Sequence, residues 1–253
     1  MSEQGNVNTS IENGIGTVTF FHPQSNSLPG NLLQQLADEI LEMGKNPDAK
    51  VIVLRSEGEK SFCAGASFDE LISIKDFTTG EKFFSGFAHV INAIRTVPKF
   101  VIARVQGKAV GGGVGLAAAA DYTIASANAS IKLSELAVGI GPFVVGPPIE
   151  RKIGKAAFTN LAINATEWRD ANWAKNVGLY ADVYDGIPNV DDAVNSLAKK
   201  LSESNPEAML EIKKIAWAGT DHWDKLLLER AGISGRLVLS EFTINAINKF
   251  KGK

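Results

Sequence analysis

Short apolar runs alternate with amphipathic segments through the first two thirds of the chain, and this alternation restricts the fold more than any other feature. The runs are nearly continuous in apolar residues, as is typical of strands covered on both faces; they lie at 17–21, 51–55, 100–105, 122–125 and 129–133. Between them, large apolar residues recur at helical spacing over 28–43 and 82–94. Strands that alternate with helices predict an α/β fold.

The last third of the chain is predicted to be mainly helical. Helical patterns cover 156–163, 166–176, 190–204, 206–217, 221–239 and 242–250, and one short strand is predicted at 179–184. The segment that begins at Thr166 resembles a capped helix start. Apolar residues such as Leu227 and Ala231 need a covering surface, which either the body of the same chain or a neighbouring subunit can provide.

Composition and charge exclude several classes of protein. The 253 residues carry 26 Lys and Arg against 28 Asp and Glu, and a net charge of −2 does not attract nucleic acid. A single cysteine, Cys63, excludes a disulfide-linked scaffold. The polar N-terminus lacks the apolar stretch of a secretory signal, and charged residues interrupt the most apolar region, 97–120. We therefore expect a cytoplasmic protein that does not span a membrane.

A turn of small residues follows the predicted strand at 51–55. Ala64, Gly65 and Ala66 lie between this strand and the start of a helix, a place where backbone amides can point at one ligand atom. Such a turn predicts an anion or oxyanion site, although small residues also serve simply to allow a tight turn.

A glycine-rich segment, 106–116, follows the strand at 100–105 and opens an alanine-rich helix. Consecutive glycines allow the backbone to approach a ligand, and the helix N-terminus supplies amides with a favourable dipole. Gly113, Gly115 and Ala118 also fit the dinucleotide-binding pattern G-x-G-x-x-A, with Glu135 twenty residues beyond Gly115. That alternative is less favoured, because no long α/β series follows the motif and it leaves the turn at Ala64 unexplained.

Glu135 stands among apolar residues, including Ile131, Leu133 and Leu136. Apolar surroundings disfavour the ionised form of a carboxylate and raise its pKa, which suits a general base near neutral pH. The alternative is a carboxylate at a helix start that faces water. No metal site is indicated, because His22, His89 and His222 lack ligand spacing.

The order and spacing of these three segments resemble the crotonase superfamily, the enoyl-CoA hydratase and isomerase group, over almost the whole chain. The loop His22–Pro29 is similar to the family's Pro-x-x-x-Asn-Ala-Leu segment. The resemblance implies a spiral of ββα units over 1–195 and a C-terminal helical region, 196–253, for trimerisation or to cover the active site. It also implies a homotrimer or a hexamer built as a dimer of trimers. The substrate would be an acyl-CoA thioester, so that coenzyme A is part of the substrate and no separate cofactor is needed.

The resemblance also assigns roles to residues of this chain. The backbone amides of Ala66 and Gly112 would form the oxyanion hole, and Glu135 would be the catalytic carboxylate. The residues that would line the coenzyme and substrate channel are Asn26, Leu28, Ala64, Ser67, Phe68, Gly111 and Phe143.

Departures from the family pattern bear on the reaction. Many hydratases of the family carry a first catalytic Glu where this chain has Gly115, and Ser67 stands where the family usually has Asp. Phe143 stands where hydratases tend to have Gly and where the hydrolase and dehalogenase branches can have an acidic residue, which disfavours hydrolysis or halide displacement through that position. One carboxylate suits a 1,3-proton shift, as in the monofunctional enoyl-CoA isomerases, because one base removes a proton and returns it two carbons away. Two alternatives stay open: a non-catalytic acyl-CoA-binding paralogue, and a hydratase in which another side chain replaces the missing Glu, the candidates being His89, Asp69 and Glu70.

Overall fold

The computed structural model describes residues 5–251, which contain ten strands and ten α-helices. The strands are β1 (Asn6–Glu12), β2 (Ile15–Phe21), β3 (Val51–Ser56), β4 (Ser61–Cys63), β5 (Val101–Val105), β6 (Lys108–Val110), β7 (Tyr122–Ser126), β8 (Ser130–Lys132), β9 (Arg169–Asp170) and β10 (Asp182–Tyr184). The α-helices are α1 (Gly30–Lys45), α2 (Phe68–Leu71), α3 (Phe77–Thr96), α4 (Gly112–Ala119), α5 (Gly146–Ile163), α6 (Ala171–Asn176), α7 (Ile187–Ser202), α8 (Pro206–Ala216), α9 (Trp223–Leu237) and α10 (Glu241–Lys251).

The larger sheet has the strand order β1-β2-β3-β5-β7-β10, and its strands are parallel except for β1. Both of its faces are covered. Helix α7 packs Val190, Val194 and Ala198 on one face, while α1, α3 and α4 contribute to the main core on the other. Burial on both faces explains why the central strands are continuous apolar runs, as the sequence predicts.

The smaller sheet, β4-β6-β8-β9, decides where the functional segments meet. Strands β4, β6 and β8 are parallel neighbours, each joined to a strand of the larger sheet by a short connection. Because the strands point the same way, their carboxyl ends lie at one edge of the sheet. The predicted turn, the glycine run and Glu135 follow β4, β6 and β8 respectively, so this edge brings all three together.

Most predicted elements are found within a few residues of their expected bounds. The helix predicted from 82 begins earlier, since the Asp76 carboxylate caps α3 by accepting a hydrogen bond from the Thr79 amide at 2.8 Å. The predicted cap at Thr166 is wrong: residues 169–170 pair with β8 as a strand, and Asp170 caps α6 instead. Pairing with a distant strand, which no local pattern encodes, overrides the local signal.

The C-terminal helices pack partly on the body of the same chain. Helix α9 lies along α3, and its Leu227 and Ala231 are buried in the main core. Helix α7 runs through residue 195, the predicted boundary between the spiral core and the C-terminal helical region, and that boundary stays a prediction. None of the helices within residues 5–251 combines the length and the apolar character that crossing a membrane requires.

Candidate active site

A cavity of about 210 Å³ lies where the carboxyl ends of β4, β6 and β8 meet. Its lining is mostly apolar. Seven of the ten residues predicted for the site line it: Ala64, Ala66, Phe68, Gly111, Gly112, Glu135 and Phe143.

The amide of Ala66 is left free by the way the turn is held. Residues 28 and 66 form a parallel bridge, in which the Leu28 amide donates to Gly65 O at 2.8 Å and the Ser67 amide donates to Leu28 O at 3.1 Å. In a parallel bridge of this kind the hydrogen bonds use the carbonyl of the residue before Ala66 and the amide of the residue after it, and they leave the N–H and C=O of Ala66 itself unused. Its N–H has no acceptor in the described part of the chain, and Ala66 itself lines the cavity.

The amide of Gly112 is the second donor that has no acceptor within residues 5–251. Gly112 is the first residue of α4, and the first amides of a helix have no partner within it. Gly111 ends the strand ladder by donating its own amide to Lys132 O at 2.9 Å. Gly65 adopts a φ of +90°, and a Cβ there would lie 2.9 Å from Val110 O and 3.6 Å from Gly112 N. The turn and the helix N-terminus are therefore in direct contact, which only glycine at position 65 permits.

Glu135 begins the 3₁₀ helix Glu135–Val138, directly after β8. The residue as a whole is half-buried, but its Oε2 is shielded from solvent and has no hydrogen-bond partner within residues 5–251. Desolvation by burial raises the pKa of Glu135 to about 7. A Cβ on Gly111 would lie 2.9 Å from Glu135 Oε1, so the carboxylate rests against the glycine that precedes the Gly112 amide.

The remaining predicted residues support the turn without lining the cavity. Asn26 accepts a hydrogen bond from the His22 amide through Oδ1, and its Nδ2 donates to Glu57 O and Ser61 O. Leu28 is fully buried in the bridge described above, and Ser67 caps α2. Their contribution to coenzyme binding stays a prediction.

The position at which many hydratases carry their first catalytic Glu has no room for a side chain in this structure. Gly115 is buried in α4, and a Cβ there would lie 2.6 Å from Val145 Cγ1, closer than real Cβ atoms approach. Any side chain at this position would require Val145 to move. Space for a second carboxylate is thus missing where the resemblance would place it.

The three side chains that could replace the missing first Glu lie outside the cavity. Glu70 accepts a hydrogen bond from the Gly30 amide at 2.6 Å, and Asp69 accepts one from Gln24 Nε2 at 2.7 Å. His89 is exposed in a groove between α1 and α3. None of the three lines the cavity.

Two hydroxyl groups and the ring of Phe87 line the cavity without having been predicted as site residues. Ser134 and Ser234 are, with Glu135, the polar side chains that line the cavity. Phe87, which lies in the segment 82–94 predicted as a helix, contacts Gly112. Ser134 adjoins Glu135 in the chain, so its position next to the carboxylate is a local signal, whereas Ser234 comes from α9 and carries no local signal.

Other reactive groups contribute no competing chemistry to the cavity. Burial raises the pKa of the Cys63 thiol to about 12, so this side chain stays protonated and unreactive. Within residues 5–251, no group of three or more His, Cys, Asp or Glu side chains could hold a metal ion.

Comparisons with protein-family models and with known proteins indicate the same family. The family model for enoyl-CoA hydratase/isomerase matches residues 10–230. A (7aS)-7a-methyl-1,5-dioxo-2,3,5,6,7,7a-hexahydro-1H-indene-carboxyl-CoA hydrolase from Rhodococcus jostii (strain RHA1) is 29% identical over 222 residues, which are 87% of this chain and 83% of the relative. The short-chain-enoyl-CoA hydratase of Clostridium acetobutylicum is 30% identical over 211 residues, 82% of this chain and 79% of the relative.

Solved structures agree with the fold. A crystal structure of an enoyl-CoA hydratase from Bacillus halodurans superposes with a TM-score of 0.88 at 22% identity, covering 96% of this chain and 99% of that chain. The predicted α/β crotonase fold with a helical C-terminal region is therefore confirmed. Together with the match over residues 10–230, this shows that the chain belongs to the enoyl-CoA hydratase/isomerase family, the crotonase superfamily.

Proposed function

We propose that this protein moves the double bond of a 3-enoyl-CoA thioester to the 2-position. The observation that carries the proposal is that, among residues 5–251, one carboxylate, Glu135, lies in an apolar cavity beside two amides without an acceptor, those of Ala66 and Gly112. One base that removes and returns the same proton is sufficient for this reaction.

The thioester oxygen binds between the amides of Ala66 and Gly112. Ionised Glu135 takes the proton from C2, and the electrons of the broken C–H bond form the enolate, whose negative oxygen the two amides stabilise. Protonated Glu135 then gives its proton to C4, where the electrons of the C3–C4 π bond form the new C–H bond. The C1–C2 π electrons of the enolate become the C2–C3 π bond, and the negative oxygen restores the thioester carbonyl. The step is balanced without another reactant, and coenzyme A takes part only as the carrier on the substrate.

A paired assay tests the proposal. We expect the purified protein to convert 3-hexenoyl-CoA to 2-hexenoyl-CoA and to hydrate 2-hexenoyl-CoA much more slowly, because residues 5–251 place no second carboxylate in the cavity to hold and deprotonate water. Double-bond migration is followed by the absorbance of the conjugated thioester, and hydration by chromatography of the 3-hydroxy product. Faster hydration than migration would contradict the proposal.

The rate should depend on pH through one ionisation. Because burial raises the pKa of Glu135 to about 7, we expect kcat/KM for the isomerisation to increase with pH through about 7 and to level off above it. The ionised carboxylate is the active base, so activity is lost as the pH falls. A kcat/KM profile from pH 5 to 9 measures this, and a profile without a transition between pH 6 and 8 would contradict the assignment.

Hydration is the second candidate function. The observation that favours it is that relatives such as the one from Clostridium acetobutylicum are named hydratases. A hydratase here would have to orient water with Ser134 or Ser234, the two hydroxyls in the cavity, and neither is a base at neutral pH. The paired assay separates the two functions directly.

Assembly is a further part of the proposal. We infer a homotrimer, or a hexamer formed by two trimers, from membership in the family. Helices α8 and α10 present exposed apolar side chains that an interface could bury, among them Ile212, Ile215 and Phe242.

A further inference from the structure

Ser234 places an isolated hydroxyl in the wall of the cavity. The residue is 2% exposed and lines the cavity from α9. One helical turn earlier, Arg230 donates from Nη1 to Phe143 O at 3.3 Å, so this face of α9 is directed at the segment that carries Phe143.

Close contact between two helices fixes the position of this hydroxyl. A Cβ on Gly235 would lie 2.6 Å from Glu81 N, and a Cβ on Gly80 would lie 3.0 Å from Gly235 Cα, so α9 and α3 touch backbone to backbone. Neither helix can shift toward the other to bury Ser234 further, and the hydroxyl is held at the cavity wall.

The hydroxyl is also uncommitted within the protein. A buried helical serine usually donates to the carbonyl one turn earlier, as Ser85 does in α3, where its Oγ lies 2.7 Å from Glu81 O. Within residues 5–251, Ser234 Oγ makes no hydrogen bond, and because it is not among the fully shielded side-chain atoms that lack a partner, it is accessible from the cavity. The rest of the cavity, apart from Ser134 and Glu135, is formed by apolar side chains and backbone.

We propose that Ser234 sets a substrate preference by forming a hydrogen bond to an oxygen on the acyl group, so that enoyl-CoA thioesters with a hydroxyl or oxo substituent bind more tightly than those with a plain alkyl chain, which are still turned over. The thioester oxygen is bound by the amides and C2 faces Glu135, so the oxygen that meets Ser234 lies further along the acyl group; this rests on the proposed function. A plain alkyl chain would displace water from the Ser234 hydroxyl and leave it unpaired, and sites with such a group discriminate against substrates that cannot bond to it. An oxygen at this point restores the bond, and a hydroxyl can pair with it as donor or acceptor.

Binding of saturated thioesters tests this inference apart from catalysis, because they have no double bond to move. Calorimetry compares octanoyl-CoA with 7-hydroxyoctanoyl-CoA and 7-oxooctanoyl-CoA. We expect the wild-type protein to bind at least one oxygenated thioester about 10- to 100-fold more tightly than octanoyl-CoA. In Ser234→Ala this preference should fall to within about threefold, by weaker binding of the oxygenated compound and tighter binding of octanoyl-CoA. The two oxygenated compounds distinguish a hydroxyl from an oxo substituent.

Ser85→Ala is the matched control, since the Ser85 hydroxyl is bonded within its own helix and does not line the cavity. It should leave the preference unchanged. Equal binding of all three thioesters by the wild-type protein, or a preference that survives Ser234→Ala, would overturn the inference. Failure of the proposed isomerisation is seen separately, as the absence of double-bond migration with 3-hexenoyl-CoA.

Discussion

Replacement of Glu135 by Gln is expected to lower kcat/KM for double-bond migration by about 10³-fold, the usual contribution of a positioned general base. Glutamine keeps the shape of the side chain but cannot accept the C2 proton. No other carboxylate or imidazole lines the cavity formed by residues 5–251, so no neighbouring group can take over the transfer. Steady-state kinetics with 3-hexenoyl-CoA measures the loss, and Glu135→Gln with wild-type activity would rule out the single-base mechanism.

The same variant has a stability readout that separates loss of the base from damage to the fold. Burial raises the pKa of Glu135 from its ordinary value to about 7, so the folded state holds this proton more tightly than the unfolded state does. The ionised side chain therefore destabilises the protein as the pH rises through 7. We expect Glu135→Gln to raise the free energy of unfolding by about 1–2 kcal/mol at pH 8, a value reduced because the residue is half-buried, and to change it little at pH 5. Urea denaturation at the two pH values checks this.

Replacement of Ala66 by Pro is expected to reduce kcat/KM by about 10²- to 10³-fold, since proline has no N–H and removes one of the two oxyanion donors. The bridge between residues 28 and 66 should survive, because its hydrogen bonds use the Gly65 carbonyl and the Ser67 amide and leave the Ala66 amide unused. Kinetics with 3-hexenoyl-CoA measures the loss, and circular dichroism verifies the fold.

Ala66→Ser is the control for this variant, because it changes the side chain and keeps the amide. It should retain activity within about fivefold, well short of the loss expected when a whole donor is removed. If Ala66→Pro folds normally and loses no more activity than Ala66→Ser, the amide of residue 66 does not stabilise the enolate.

The functional segments could be recognised from the sequence, but the sequence did not show that they lie together around one cavity. Small residues at 64–66, glycines at 111–113 and Glu135 each stand after a strand signal, and local patterns of this kind identify turns, strands and helix starts. That β4, β6 and β8 are parallel neighbours follows from pairing between segments more than twenty residues apart. Strand pairing depends on tertiary packing, which a local pattern does not encode.

Interactions between distant segments also decided which residues are available to a ligand. From the sequence, Asn26 and Asp69 could bind a ligand as well as any other polar residue. In the structure their side chains form the hydrogen bonds that hold the loop at 22–30 in place. Ser234 has no local feature that marks it, and it reaches the cavity because two glycines let α9 touch α3.

By itself, the sequence determined the α/β alternation, the family, the glycine turns and the single carboxylate, because each of these is a matter of residue type and local spacing. Only the tertiary structure decided that Oε2 of Glu135 is shielded from water, that the amides of Ala66 and Gly112 have no acceptor within residues 5–251, and that the place of a second Glu is closed by Val145. Desolvation and steric exclusion depend on which distant atoms surround a group, and the folded chain alone brings those atoms together.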